Sequence, residues 1–107
     1  MTAYRFTSAA LVELKQATLD YEKKENGLGR SFLNELDDTV GRILANPRAW
    51  HPLSHRIRRC RTHRFPFGLI YQIRPNEILI VSLMDLRRDP RNWKRVLEEE
   101  EEGSEQG

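Results

Sequence analysis

The stretch RFPFGLIYQIRPNEILIVSLM, residues 64–84, decides the fold. Phe65, Phe67, Leu69, Tyr71 and Ile73 occupy every second position. An extended chain turns alternate side chains to opposite faces, so this spacing predicts a strand over 64–73 with one apolar face. Pro66 stands early in it, where a missing N–H is tolerated at a strand start or edge. Pro75-Asn76 supplies a turn. From Glu77 the alternation gives way to Ile78, Leu79, Ile80, Val81 and Leu83. A nearly continuous apolar run of this length predicts a central strand over 77–84, buried on both faces. Residues 56–61 predict a further strand just before the pair.

Upstream, the period changes. Residues 3–7, Ala-Tyr-Arg-Phe-Thr, alternate as a short strand does. Thr7 or Ser8 can then cap a helix with its hydroxyl. Leu11, Leu14, Thr18 and Tyr21 recur at three- and four-residue steps, which predicts a helix from Ser8 to about Lys24. Asn26-Gly27-Leu28-Gly29 breaks it. Phe32, Leu36, Val40, Ile43 and Leu44 form a second stripe that ends at Asn46-Pro47. Two amphipathic helices with a short joint make an antiparallel hairpin. Downstream, Asp89-Pro90 can open a last short helix carrying Trp93, Val96 and Leu97. The expected order is β-α-α-β-β-β-α. This is an α+β fold: a small, mainly antiparallel sheet with an N-terminal helical hairpin on one face.

The chain has 107 residues, one domain's worth, and the domain is expected over residues 1–97. Residues 98–107 hold six Glu and no apolar side chain, so an acidic, disordered tail is expected there. No segment approaches the roughly 20 apolar residues of a membrane span. The N-terminus lacks a basic start followed by an unbroken apolar run, so no secretory signal is expected. Cys60 has no second cysteine to pair with. Both features fit a cytoplasmic location. One Cys and three His argue against structural zinc, and no metal or cofactor is expected.

Charge is unevenly spread. Residues 1–55 carry seven Lys/Arg and seven Asp/Glu, whereas residues 56–95 carry eleven against three. Such a basic block is a footprint for nucleic acid or an acidic partner, or else a solvated face. Its candidate binding residues are Arg56, Arg58, Arg59, Arg61, Arg64, Arg87, Arg88 and Arg91, with Trp93. Trp93 either stacks on a base or partner or plugs the last helix onto the sheet. Phe67 and Tyr71 are expected in the core, Trp50 at its edge, and His51 and His55 in exposed loops. Cys60, flanked by arginines, is a candidate for a lowered thiol pKa.

GLG (27–29), SFLNEL (31–36), NPRAWHPL (46–53), IRRCRTHRFPFGLIYQI (57–73) and RRDPRNW (87–93) occur in that order. In this order and spacing the chain resembles the RelE/ParE toxin superfamily, the plasmid-stabilisation proteins, over about residues 4–95. The resemblance implies a small antiparallel sheet carrying a helical hairpin. It also implies the bacterial toxin half of a type II toxin–antitoxin pair, neutralised by a cognate antitoxin protein.

Two modes of action fall within the superfamily. RelE-like members cleave messenger RNA on the ribosome; ParE-like members are thought to poison DNA gyrase and are not known to be nucleases. RNA cleavage by the 2′-hydroxyl needs a base, cations for the phosphorane and an acid for the leaving oxygen. If the chain is an enzyme, it is a metal-free endoribonuclease, with Arg61 and Arg87 as cations and His63 as the proton-transfer candidate. Relatives commonly have His where this chain has Asp85 and Tyr where it has Asn92. An anion beside a phosphate is unfavourable without a metal, and Asn92 does not titrate. The ParE-like, binding mode is therefore the expectation. A RelE-like endoribonuclease and a non-toxic, antitoxin-binding relative are the alternatives. The expected partners are the antitoxin and either gyrase or the ribosome with its messenger RNA, with no membrane. The acidic tail is read as solubilising, the alternative being weak fold-back onto the basic face.

Overall fold

The computed structural model describes residues 3–88. The elements are β1 (Ala3–Phe6), α1 (Ser8–Lys24), α2 (Leu28–Ala45), β2 (His51–Pro52), β3 (Ile57–Arg61), β4 (Phe67–Ile73) and β5 (Glu77–Asp85). They build a five-stranded sheet in the order β1-β5-β4-β3-β2. β1 runs parallel to β5, and the remaining pairs are antiparallel. The α+β hairpin-on-sheet architecture is as expected, with two differences. The two-residue β2 was not anticipated, because His-Pro has no alternation to read. The strand expected from residue 64 begins at Phe67, because Thr62 closes a tight loop there. Its N–H donates to the Phe67 carbonyl at 3.0 Å, and its hydroxyl donates to the Phe65 carbonyl at 2.7 Å. The predicted last helix, Arg91, Trp93 and the acidic tail lie outside the described residues. No helix among the described residues is long and apolar enough to cross a membrane.

Helix α1 starts where the sequence places it. The Thr7 hydroxyl accepts from the Ala10 N–H at 3.1 Å, satisfying a first-turn donor. The same hydroxyl donates to the Val81 carbonyl at 3.2 Å, so the cap also fastens the helix to β5. The joint to α2 turns on Gly27, whose φ of 88° is left-handed. The Glu22 carboxylate accepts from the N–H groups of Gly27 and Gly29, both at 3.1 Å.

The helical hairpin buries one sheet face. Phe32, Leu36, Val40 and Ile43 of α2 meet Leu69 and Tyr71 of β4 and Ile78, Ile80 and Leu83 of β5. Tyr21, Phe32, Phe65 and Phe67 form an aromatic cluster, with ring centroids 4.9–6.1 Å apart in mostly edge-on geometry. Ile57, Ile70, Leu79, Val81 and Met84 form a second buried cluster, against which Leu53 and Leu86 pack. Strand β5 contributes to both clusters, as its unbroken apolar run predicts.

Strand β5 also carries a bulge. Ile70 pairs with Ser82 but Tyr71 with Ile80, which leaves Val81 without an opposite number. β1 ends at Phe6, opposite Ile80, so the β5 edge is open beyond that point. Glu13 of α1 fills part of the gap, accepting from the Ser82 hydroxyl at 3.1 Å and the Leu83 N–H at 3.3 Å. Burial pushes the Glu13 carboxyl up, against the pull of those two donors.

Two glycine-to-alanine changes should act with opposite signs. Gly27→Ala puts a Cβ in left-handed backbone and should cost about 1–2 kcal/mol. Gly41→Ala lies inside α2 with nothing near the new Cβ and should gain about 0.5–1 kcal/mol of helix propensity. Thermal melts of the two variants, one lowered and one raised, check the joint.

Candidate functional site

Strand β3 divides its arginines between environments. Cys60 falls in the helix-side core and Ile57 in the opposite cluster, so alternation puts Arg59 and Arg61 on the side away from the hairpin. Arg58 donates to the Trp50 carbonyl at 2.8 Å. Arg59 lies flat across Gly68. A Cβ there would stand 3.0 Å from Arg59 Cγ, so any larger residue would press the stem aside. Burial, then the adjoining Arg61, pulls the Arg59 guanidinium below its ordinary pKa. Its Nε is buried with no hydrogen-bond partner.

β2 pairs with β3 only at Arg58 and Arg59, so the Arg61 carbonyl is open on that edge. Arg42 of α2 reaches it, donating from Nη2 to Arg61 O at 3.0 Å and to Thr39 Oγ1 at 3.0 Å. Its Nη1 approaches Cys60 Sγ at 3.6 Å, and its guanidinium sits 5.5 Å from the centre of the Trp50 ring. Trp50 Nε1 donates back to the Arg42 carbonyl at 3.2 Å. Trp50 thus closes the end of α2 and packs against the core edge, as expected. A cavity of about 300 Å³ opens at this edge, lined by Arg42, Trp50, His51, Arg59, Arg61, Thr62 and His63.

The loop bearing His63 and Arg64 is held from below. Glu35 of α2, 5% exposed, accepts from the His63 N–H at 3.1 Å, the Arg64 N–H at 3.3 Å and Arg64 Nε at 3.3 Å. Burial raises the Glu35 carboxyl, and those donors outweigh it, so it sits below its ordinary value. Arg64 is therefore ion-paired, and it lies over the Phe65 ring.

At the far end of β5, Asp85 holds Arg87. Nε donates to Oδ1 at 3.0 Å, Nη2 to Oδ2 at 2.9 Å, and the Arg87 backbone N–H to Oδ1 at 3.0 Å. Arg88 stands 3.7 Å away. The Arg87 hydrogen bond, above all, keeps the Asp85 carboxyl below its ordinary value. These residues border a groove of about 670 Å³ between α1 and β5, with Glu13, Tyr21 and Lys24 among its walls.

The sequence candidates are thus separated. Arg59, Arg61 and His63 share the β3-edge cavity; Arg87 and Arg88 line the groove along α1. Arg61 and His63 do not meet Arg87 in either. Arg56 and His55 lie exposed in the bend before β3. Phe67 and Tyr71 are core residues, and the Tyr71 hydroxyl donates to the Pro47 carbonyl. The expected low thiol pKa of Cys60 is overturned. The side chain is 1% exposed, and burial raises its pKa more than Arg42 lowers it. Glu35 and Arg42 were not singled out from the sequence, whereas His51, read as an exposed loop histidine, lies exposed in β2. A signal existed for the first two: Glu35, Thr39 and Arg42 recur at helical spacing beside the apolar stripe of α2. Among the described residues no group of three or more His, Cys, Asp or Glu is placed to hold a metal ion.

A helical hairpin on a mixed five-stranded sheet is the architecture that the resemblance to the RelE/ParE class implies. The family model described as ParE toxin of type II toxin-antitoxin system, parDE, matches residues 4–90, and the chain belongs to that family. Among solved structures it is similar to "Chromosomal ParDE TA system from P. aeruginosa", with a TM-score of 0.65 and 20% identity. That match covers 80% of this chain and 97% of the other, and it carries the fold. No curated protein matches the chain.

Glu35→Gln should destabilise the domain by about 1–3 kcal/mol at pH 7, since buried donors lose an ionic acceptor. The folded carboxyl is held low, so its stabilisation is complete above the ordinary carboxylate range and fades as pH falls through the folded value. The gap in melting temperature between parent and variant should therefore narrow from pH 7 to pH 3. A gap that stays constant would mean the carboxylate's charge is not what holds the loop.

Proposed function

We propose that this chain is the toxin of a type II toxin–antitoxin pair, acting in the cytoplasm by binding, with DNA gyrase as its target. A cognate antitoxin neutralises it. The observation that carries the binding mode is the closed Asp85–Arg87 pair. A nuclease of the related kind needs a free cation and a titrating group at this point. Here one edge of the guanidinium, Nε and Nη2, lies on a carboxylate, and the carboxylate is held ionised. The pair neutralises the cation a phosphorane would need, and a carboxylate held this low is a poor base with no proton to give. The other cationic candidates, Arg61 and His63, line a different cavity.

The antitoxin reading is supported by the surface. Tyr4, Leu11, Val12 and Leu19 are exposed apolar side chains of β1 and α1, with Val12 67% exposed. A disordered acidic segment that folds on contact gains affinity from such positions and from the arginines together.

Purified full-length chain should inhibit gyrase supercoiling of a relaxed plasmid, and the product of the adjoining gene should relieve the inhibition. Induction of the chain alone should arrest replication before translation. Unaffected gyrase together with cut messenger RNA in a translating extract would instead establish the endoribonuclease. Undisturbed growth under strong induction would establish a non-toxic relative.

A further inference from the structure

We propose that the β3-edge cavity is a binding site for a phosphate-class oxyanion, seated among Arg42, Arg59, Arg61, His51 and His63. The proposal goes beyond the toxin reading and does not depend on it. Among the described residues the cavity's lining includes three guanidinium groups and two imidazoles and no carboxylate. Glu35, which holds the adjoining loop, is occupied by the backbone N–H of His63 and by the backbone N–H and Nε of Arg64. The Arg61 side chain has no hydrogen-bond or ion-pair partner among the described residues, although its backbone is fixed by the β3–β4 ladder and by Arg42. Arg42 and Arg59 each keep an unpaired Nε. Among the described residues, like charges are thus gathered at one place without a counter-charge, which costs free energy in proportion to their burial. An anion relieves that cost; burial first, and then Arg61, pull the Arg59 guanidinium below its ordinary pKa.

The shape of the donor set favours phosphate over carboxylate. The donors come from α2 (Arg42), from β2 (His51), from β3 (Arg59 and Arg61) and from the following loop (His63). A carboxylate offers two oxygens in one plane and a single charge. A phosphate offers oxygens in several directions, and up to two charges as a monoester, so it engages more of these donors at once. The cavity's volume of about 300 Å³ stands at the small end of ligand pockets, which suits a phosphate group rather than a whole folded segment. The Trp50 face is already covered by Arg42, so recognition rests on the oxyanion and not on stacking of a base.

The test is calorimetric or NMR titration of the full-length chain, at constant ionic strength, with inorganic phosphate, dimethyl phosphate and acetate. Inorganic phosphate should bind saturably, and acetate at least about tenfold more weakly. Arg61→Ala should weaken phosphate roughly tenfold or more, in line with loss of a charged hydrogen bond. Arg30→Ala, an exposed arginine on α2 outside the cavity, should leave binding unchanged. Matching melting temperatures show that both variants are folded. Binding of dimethyl phosphate with the same Arg61 dependence assigns the site to backbone diesters; binding of inorganic phosphate alone assigns it to free phosphate or a terminal monoester. Equal binding of acetate and phosphate, or equal effects of Arg61→Ala and Arg30→Ala, would overturn the proposal. Gyrase inhibition by Arg61→Ala is scored separately, so either reading can fail alone.

Discussion

Strand β5 runs for nine residues, and its outer partner β1 covers only the first part of it; β3 runs for five, and β2 covers two. A sheet with such short edge strands leaves backbone donors and acceptors open inside the domain, and open backbone groups out of water are costly. Each helix of the hairpin delivers one side chain to an exposed edge. Glu13 of α1 accepts the Leu83 N–H on the β5 side, and Arg42 of α2 donates to the Arg61 carbonyl on the β3 side. The hairpin therefore does more than cover an apolar face. It completes the hydrogen bonding of the sheet at both ends, and the two cavities open next to these two completions.

That arrangement explains how the basic half of the chain is distributed. Arg64 and Arg87 are held by Glu35 and Asp85, and Arg58 by the Trp50 carbonyl. The ion pairs contribute little as stability, because their arginines are largely exposed. What they change is availability. A guanidinium with one edge on a carboxylate offers a phosphate fewer donors and a neutralised charge. Arg59 and Arg61 lie instead at the β3 edge, where Arg59 runs across Gly68 and Arg42 fixes the strand beneath Arg61.

How much of this the sequence could reveal depended on period. The two-residue period of Phe65 to Ile73 and the unbroken run after Glu77 gave β4 and β5. The three- and four-residue steps gave both helices, with Thr7 and Gly27 marking their ends. The β5 bulge was not legible: a register shift is a property of two strands together, and the apolar run that predicts burial on both faces looks the same with or without it. β2 was too short to have a period. In the site, individual arginines were easy to name, but their partners were not. Asp85 two residues before Arg87 is visible in the sequence, whereas Glu35 under His63 is a contact across 28 positions. Cys60 shows the same limit. Its arginine neighbours in sequence suggested a low thiol pKa, while alternation along β3 turns it into the core, where desolvation dominates.

Arg42 and Arg61 illustrate why the cavity's cations are unequal as evidence of function. Arg42 donates to Thr39, approaches Cys60, stacks on Trp50 and secures the β3 edge, so its presence is explained by the fold whether or not a ligand exists. Arg59 is partly explained in the same way, since its stem covers Gly68. Arg61 has no such duty: it is exposed, its backbone serves the ladder as any residue's would, and its guanidinium has no acceptor among the described residues. A charge placed beside two other cations with nothing in the fold requiring it is unfavourable by itself. Arg61 is therefore the cation of this edge that no acceptor among the described residues claims, and the proposed anion site turns on it.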